Sequence, residues 1–249
     1  MRAFLIAVQF LTRIPVRLGK PPSEGEMAAS VACFPLVGLI VGGILALTHV
    51  ALGPYLPPMV EASVLLVGYI LVTGGIHLDG LMDTVDGLSS SQDPERILAV
   101  MKDSRVGAMG VVAATVVILA RYSVYGSLPG TLAPGLLVAA AVSSRWSMCL
   151  CMVLAPYARQ GSGLGRSFVE APNGPRLLVA TLLATAIALA ASGYQGLGAL
   201  GASAVATGLF AAMLRKRVGG ITGDTLGALN EITEVTSLLV LVVLAGMNP

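Results

Sequence analysis

Seven long apolar stretches constrain the fold of this 249-residue chain more than any other feature. Each is long enough, or nearly so, to cross a bilayer as a helix of about 20 residues. Hydrophobic residues make up 55% of the sequence and charged residues only 11%, a balance that a water-soluble fold does not accommodate. The stretches cover residues 31–52, 60–78, 106–125, 132–155, 177–192, 197–214 and 226–247.

These stretches predict an all-α fold, a polytopic membrane helix bundle with about seven transmembrane helices in a single domain over residues 1–249. The apolar N-terminal segment Met1–Val16 is followed by no small-residue cleavage site. We therefore expect a short interfacial helix there and not a cleaved signal peptide. Only residues 193–196 separate the fifth and sixth stretches, which predicts a tight helical hairpin.

The basic residues predict how the bundle is oriented. All but two of the 15 Lys and Arg residues fall in the N-terminal segment and in alternate connections, whereas the connections at 53–59, 126–131 and 193–196 contain none. Because basic loops stay on the cytoplasmic side, we expect a multi-pass protein of the cytoplasmic (inner) membrane whose active face is cytoplasmic. The opposite loops look like plain connectors, and a net charge of +2 gives no reason to expect a nucleic-acid partner.

The first acidic cluster lies at the end of the second stretch, in the segment His77–Gly87. Asp79, Asp83 and Asp86 are spaced i, i+4 and i+7, so a helix would put all three carboxylates on one face. Like charges this close repel one another, and the mouth of a membrane span offers little water to screen them. Oxygen ligands of this kind suit Mg²⁺ or Mn²⁺. We predict a divalent-metal site here; the alternative is a solvated acidic helix end.

The second acidic cluster penetrates the start of the last stretch. Asp224, Glu231 and Glu234 lie near one helical face. Gly223 predicts a change from loop to helix, with Asp224 at or near the helix cap. Acidic residues inside a span indicate function by default, which favours a second set of metal ligands. The alternative is a polar seam that only holds helices together.

Two basic segments are candidates for binding an anionic group. The first precedes the third stretch, where side chains and the free amides of a helix start form a candidate phosphate site; the alternative is ordinary membrane-flanking charge. Its residues are Lys102, Ser104 and Arg105. The second is the Gly-rich loop 156–167 with Arg159 and Arg166, which is compatible with a loop over an anionic substrate and equally with a plain loop.

Acidic clusters and arginines on one face suit a metal-bridged pyrophosphate. The metal would neutralise phosphate oxygens, arginines would share the remaining charge, and a spare carboxylate or His77 would take a proton from an attacking hydroxyl. The residues alone predict metal-dependent transfer of a phosphate-linked group at the membrane surface. A transporter would instead spread polar residues across the membrane depth, and a structural scaffold would leave the acidic clusters unexplained.

Four segments resemble the cobalamin synthase family in order and spacing, nearly from end to end. They are Val8–Val16, His77–Gly87, Asp103–Gly107 and Gly223–Ala228, the last followed by Asn230 and Glu231. His77–Gly87 is the most specific of them. The spaced aspartates are also similar to those of CDP-alcohol phosphotransferases, but this chain lacks the Gly-Ala-Arg element of that family, so that match is weaker.

The resemblance implies the activity of an adenosylcobinamide-GDP ribazoletransferase, the last enzyme of nucleotide-loop assembly. The ribose hydroxyl of α-ribazole, or of its 5′-phosphate, would displace GMP from adenosylcobinamide-GDP to give adenosylcobalamin or its 5′-phosphate. Mg²⁺ is the implied cofactor. The implied partners are these two substrates and the lipid bilayer, and a homo-oligomer is left open.

Residue roles complete the sequence-based hypothesis. The expected metal ligands are Asp79, Asp83, Asp86, Asp224, Glu231 and Glu234. The expected catalytic residues are His77, Asp83 and Asp224. The expected substrate-binding residues are Lys102, Ser104, Arg105, Arg159, Arg166 and Asn230.

Overall fold

The structure is a computed structural model that describes residues 1–159, 164–169 and 174–246. These residues are helical apart from connections and one isolated β-bridge between Tyr157 and Ile221, which confirms the all-α prediction. The α-helices of the described residues are α1 (Arg2–Leu11), α2 (Glu24–Ser30), α3 (Phe34–Leu52), α4 (Pro58–Thr73), α5 (Ile76–Ser90), α6 (Pro94–Val100), α7 (Ala108–Tyr125), α8 (Ala133–Leu154), α9 (Leu164–Val169), α10 (Gly174–Ser192), α11 (Tyr194–Val218) and α12 (Gly223–Gly246).

Six or seven segments of the described chain could cross a membrane, in agreement with the prediction of about seven. Six segments of the described chain are long and apolar enough to cross a membrane, and a seventh results if the bent pair of α4 and α5 counts as one span. The predicted hairpin is the pair α10 and α11, which turns at Gly193, and the predicted N-terminal helix is α1. The six segments are Glu24–Tyr55, Ala108–Tyr125, Gly130–Leu154, Gly174–Ser192, Tyr194–Val218 and Gly223–Gly246.

The second predicted stretch, residues 60–78, breaks before its end. α4 stops at Thr73, and α5 starts at Ile76 after a bend of 85°. Between them, Gly74 and Gly75 have φ angles of 66° and 69°, a left-handed conformation that strongly favours glycine. α4 therefore ends at the glycine pair, and α5 leaves it at nearly a right angle.

α5 lies on the end of the bundle that bears the basic connections, here called the basic face. Arg217, in the last turn of α11, donates hydrogen bonds to the carbonyl oxygens of Leu88 (2.8 Å) and Ser91 (3.0 Å). A cation at a helix C-terminus satisfies carbonyls that lack intrahelical partners. One basic residue of the predicted topology signal therefore also anchors α5. The basic face comprises residues 12–23, 91–107, 155–159 and 215–222.

The centre of the bundle is α8, since 83% of the residues in its most apolar 18-residue stretch are buried. Glycines bring α3 close to it. A Cβ atom at Gly42 would lie 2.6 Å from the Cα of Val138, and one at Gly38 would lie 2.7 Å from the Cα of Val142. Small residues at such contacts let membrane helices approach closely without a hydrophobic driving force. This tight pair forms the scaffold beside which α12 and α5 are placed.

Candidate functional site

The two acidic clusters meet where α5 crosses the start of α12. A Cβ atom at Gly80 would lie 2.7 Å from the carbonyl oxygen of Asp224. One at Gly227 would lie 3.3 Å from the Cα of His77. The two backbones can touch only because these glycines have no side chain. The crossing therefore brings Asp224 against α5, where Asp79 and Asp224 both act on Asp83.

The start of α12 is fixed by a reciprocal pair of threonines. The backbone N–H of Thr225 donates to Oγ1 of Thr222 (3.2 Å), and the backbone N–H of Thr222 donates to Oγ1 of Thr225 (2.8 Å). This is the arrangement of a capping box, with threonine in place of the usual acid. The predicted change from loop to helix at Gly223 is confirmed, and Asp224 lies in the first helical turn.

Arg159 reaches the cluster from the connection after α8. Its Nη2 atom lies 2.7 Å from Oδ2 of Asp224, and both side chains are partly exposed. The connection is held by backbone hydrogen bonds: the Ala158 N–H donates to the Ile221 carbonyl (2.9 Å), and the Ile221 N–H donates to the Pro156 carbonyl (2.8 Å). A cation is thereby fixed at the edge of the acidic group.

Asp83 is the aspartate on which the charge of the cluster acts most strongly. Burial and repulsion by Asp79, Asp224 and Asp86 raise the pKa of Asp83 to about 6, and the opposing attraction of Arg159 is smaller than any of these effects. Three carboxylates therefore act on the half-buried side chain of Asp83, and we call Asp79, Asp83, Asp86 and Asp224 the aspartate cluster. A bound cation would neutralise the excess negative charge of these carboxylates.

Asp86 contacts the start of α7, which the sequence did not indicate. Its carboxylate accepts hydrogen bonds from the backbone N–H groups of Gly107 (2.7 Å) and Gly110 (2.8 Å), at the start of α7. A Cβ atom at either glycine would overlap the carboxylate. Asp86 therefore caps α7 from a neighbouring helix and ties the basic connection before α7 to α5. Metal ligation by Asp86 stays an untested prediction.

The described carboxylates fit a metal ion that is completed by substrate. No group of three or more His, Cys, Asp or Glu side chains in residues 1–159, 164–169 and 174–246 is arranged as a ready-made metal site. Within the same residues, the side chains of Asp79 and Asp83 accept no hydrogen bond, so their oxygens are available. Mg²⁺ is often bound by one or two carboxylates together with phosphate oxygens and water. The donor set agrees with that mode.

Glu231 and Glu234 lie deeper along α12 and face arginines. Arg121 donates to Oε2 of Glu231 (2.7 Å) and to Oε1 of Glu234 (2.6 Å), and Arg145 donates to Oε2 of Glu234. Tyr69 donates to Oε1 of Glu231 (2.6 Å). These side chains are almost completely buried. The name buried seam is used below for a set of six side chains, in which Ser144 lies beside Glu234. They are Tyr69, Arg121, Ser144, Arg145, Glu231 and Glu234.

The contacts of Glu231 and Glu234 agree with the alternative given for the second acidic cluster, a polar seam that holds helices together. All four carboxylate oxygens of Glu231 and Glu234 accept hydrogen bonds from protein groups. Metal ligation by these two glutamates stays an untested prediction, and it would require breaking a buried ion pair. The seam also shows that the expected gathering of charge at one face is wrong, because two arginines and two glutamates lie within the membrane-crossing helices.

His77 and Asn230 join α5 to the seam. His77 is 3% exposed, and its Nδ1 accepts a hydrogen bond from Nδ2 of Asn230 (3.2 Å). Asn230 also donates to the hydroxyl of Tyr69 (3.4 Å). This burial places both side chains under the crossing of α5 and α12 and away from solvent. The catalytic role predicted for His77 and the substrate contact predicted for Asn230 remain untested, and the geometry favours a positioning role for both.

The predicted phosphate-binding segment is exposed on the basic face. Lys102, Ser104 and Arg105 are all exposed, and Arg105 forms an ion pair with Asp103 (2.6 Å). Hydrogen bonds from Arg105 lower the pKa of the Asp103 carboxyl to about 2. Asp86 holds the end of this segment through Gly107, so the segment is linked to the aspartate cluster.

The predicted Gly-rich loop is described only in part. Arg166 is exposed on the short helix α9, and residues 160–163 and 170–173 lie outside the described residues. Arg159 is the member of this loop that the structure brings to the acidic cluster.

Two functional features were missed in the sequence. Arg121 and Arg145 occupy predicted spans. Because a buried cation requires a buried anion, the sequence could have indicated that they pair with acidic residues of another span, although not with which ones. On the side opposite the basic face, His49 Nδ1 pairs with Glu61 and His49 Nε2 lies 3.0 Å from the carbonyl of Gly130. They line a cavity of about 630 Å³ on that side.

Comparison with known proteins gives matches over nearly the whole chain. A family model described as cobalamin-5-phosphate synthase matches residues 3–242. Proteins named adenosylcobinamide-GDP ribazoletransferase are 38% identical in Desulfitobacterium hafniense (96% of each chain), 38% in Pseudomonas aeruginosa strain PAO1 (97% of this chain, 98% of the relative) and 33% in Clostridium novyi (99% and 98%). No solved structure matches the chain.

Proposed function

Because this chain belongs to the cobalamin-5-phosphate synthase family, we propose that it acts as an adenosylcobinamide-GDP ribazoletransferase. The observation that carries the proposal is the match over residues 3–242, together with relatives of that name that align with nearly the full length. The substrates are adenosylcobinamide-GDP and α-ribazole or its 5′-phosphate. The active side is the basic face, which we assign to the cytoplasmic side of the cytoplasmic membrane because of its Lys and Arg residues.

The proposed reaction is a phosphoryl substitution. The ribose hydroxyl of the ribazole substrate attacks the phosphorus that is linked to the cobinamide. A new P–O bond forms to the ribose, the P–O bond to the GMP portion breaks, and GMP leaves. The hydroxyl proton passes to a carboxylate of the aspartate cluster. We assign this role to Asp83, because it lies among the other carboxylates of the cluster and its own side chain accepts no hydrogen bond from the described residues.

The chain's carboxylates are the proposed holders of Mg²⁺. Asp79, Asp83 and Asp224 are the ligands that we favour, because their helices meet at the glycine contact of α5 and α12. Bound Mg²⁺ would supply neutralisation of the diphosphate oxygens. Asp86 is the weaker candidate, because backbone amides of α7 occupy its oxygens.

The proposed diphosphate contacts come from arginine and helix-start groups. Arg159 is fixed beside Asp224, and its guanidinium offers paired donors that match phosphate oxygens. Arg105, Lys102 and Ser104 supply further donors from the segment that Asp86 anchors, and Arg166 extends the set from α9. His77 and Asn230 keep α5 and α12 in register below the site.

The test is GMP release by purified protein in detergent. We expect GMP to appear only when adenosylcobinamide-GDP, α-ribazole or its phosphate, and Mg²⁺ are all present, and EDTA to stop its release. Re-addition of Mg²⁺ after EDTA is the control for irreversible loss of the fold. Absence of GMP and of a cobalamin product with folded protein and both ribazole substrates would refute the proposed activity. Undiminished turnover in EDTA would refute only the metal.

A further inference from the structure

The corner between α4 and α5 is built around one arginine from the N-terminal segment. Gly74 and Gly75 both have positive φ, yet their surroundings differ. A Cβ atom at Gly74 would overlap Cγ and Nε of Arg13, whereas a Cβ at Gly75 would meet no atom within 4 Å. The side chain of Arg13 therefore lies directly on the bare Cα of Gly74.

The backbone around Arg13 is anchored to the bundle. The Arg13 N–H donates to the carbonyl of Val72 (2.8 Å), near the end of α4. The preceding residue, Thr12, is 4% exposed, donates to the carbonyl of Val8 (2.7 Å) and accepts from the N–H of Ile14 (3.2 Å). Arg13 thus enters the corner from a fixed backbone and not from a free chain end.

The guanidinium at this corner has no partner within residues 1–159, 164–169 and 174–246. Arg13 is exposed, and its side chain forms neither a hydrogen bond nor an ion pair with those residues. The helix that leaves the corner carries Asp79 in its first turn, where the Asp79 N–H donates to the carbonyl of Gly75 (2.9 Å). The Arg13 side chain therefore rests on Gly74, at the start of the helix that carries Asp79, and its guanidinium donors are unpaired among the described residues.

We infer that Arg13 binds the diphosphate of the GDP-linked substrate and sets its position at the aspartate cluster. The inference rests on the proposed function and adds a residue of the N-terminal segment to the substrate-binding residues named above. Arginine presents paired donors that match two oxygens of a diphosphate, and an immobilised stem loses little freedom on binding. Arg13 lies at the α4–α5 corner, at the start of α5, whereas Arg159 lies at the other edge of the cluster beside Asp224.

The first test compares Arg13→Lys with Arg17→Lys in the full-length protein with Mg²⁺. Both substitutions keep the positive charge, so the topology signal is preserved, and both arginines are exposed in the same segment. We expect Arg13→Lys to raise KM for the GDP-linked substrate about tenfold, through loss of paired donors, with KM for the ribazole substrate unchanged. Arg17→Lys should stay within about twofold of the unsubstituted protein. Equal KM values for the two variants, or equal shifts for both substrates, would overturn the inference.

The second test uses the two glycines of the corner. Gly74→Ala and Gly75→Ala impose similar backbone strain because both positions have positive φ, but only Gly74→Ala displaces Arg13. Both variants should lose thermal stability, and only Gly74→Ala should raise KM for the GDP-linked substrate as Arg13→Lys does. Equal KM effects in the two alanine variants would also overturn the inference. Failure of the unsubstituted protein to release GMP would instead refute the proposed function, so the two failures are distinguishable.

Discussion

The buried seam and the aspartate cluster both include acidic side chains of α12, but they balance charge in opposite ways. In the seam, Glu231 and Glu234 face two arginines and every carboxylate oxygen accepts a hydrogen bond. In the cluster, repulsion between carboxylates exceeds the attraction of Arg159. Charge deep in a membrane helix must be neutralised by the protein itself. At the basic face water and ligands have access, so an uncompensated cluster can persist and bind a cation.

The largest expected effect is the loss of activity in Asp83→Asn. The amide keeps the size of the side chain but removes the charge and the proton acceptor, so we expect GMP release to fall by about 10³-fold or more. Membrane insertion should be unchanged. The measurement is GMP release per amount of folded protein, with Glu24→Gln, an exposed acid on α2, as the control. An Asp83→Asn variant with normal activity would remove the cluster from the proposed mechanism.

Glu234→Gln should have the largest effect on stability. Removal of one carboxylate leaves Arg145 buried without its anion and Arg121 with only one, which costs about 3–5 kcal/mol for a buried pair. Denaturant unfolding in detergent measures the change, and Glu24→Gln should be neutral. A variant of normal stability that has lost Mg²⁺ binding would show that Glu234 belongs with the metal ligands and that the two regions are not separate.

Arg105→Ala should reduce kcat/KM by about 10- to 100-fold, the range expected for losing a hydrogen bond to a charged group. The effect should appear mainly in KM for the GDP-linked substrate, with stability unchanged because Arg105 is exposed. Lys216→Ala is the matched control, since it removes an exposed basic residue from the same face. Equal losses in both variants would mean that Arg105 contributes only to topology.

The smallest expected effect is that of Asp86→Asn. It should weaken the cap on α7 by about 1 kcal/mol, seen as a lower unfolding midpoint, and leave Mg²⁺ affinity within about twofold. Activity should fall only a few-fold, through looser anchoring of the segment before α7. A tenfold loss of Mg²⁺ affinity at normal stability would instead make Asp86 a metal ligand and enlarge the cluster.

Most spans were predictable because a long apolar helix is the only single segment that can cross a bilayer with its backbone hydrogen bonds satisfied, and hydropathy finds such segments directly. The corner at Gly74 and Gly75 was not predicted, since the apolar pattern continues to Leu78 and two left-handed residues leave hydropathy unchanged. The start of α12 at Gly223 was predictable because turn and capping chemistry is local.

The partners of the charged residues were beyond sequence reasoning. Arg121 lies 110 residues before Glu231, and Arg145 lies 89 residues before Glu234. The spacing of acids on α12 is the same whether they face a metal ion or a guanidinium. Only the packing of α7 and α8 against α12 decides between these two readings. For the same reason, both acidic clusters could be found in the sequence, but the sequence did not show which of their carboxylates lie close together in the fold.

The contact between α5 and α12 sets a limit on how this protein can be altered. At Gly80 and Gly227 two peptide backbones meet without a side chain between them. An added methyl group at Gly80 would meet backbone atoms that no rotamer can move, so it shifts a helix together with its carboxylates, and one at Gly227 would push the helices apart by a smaller amount. A library that seeks new nucleotide or base specificity should leave this crossing untouched and vary the loops around it, where a change in one side chain leaves the separation of the acids intact.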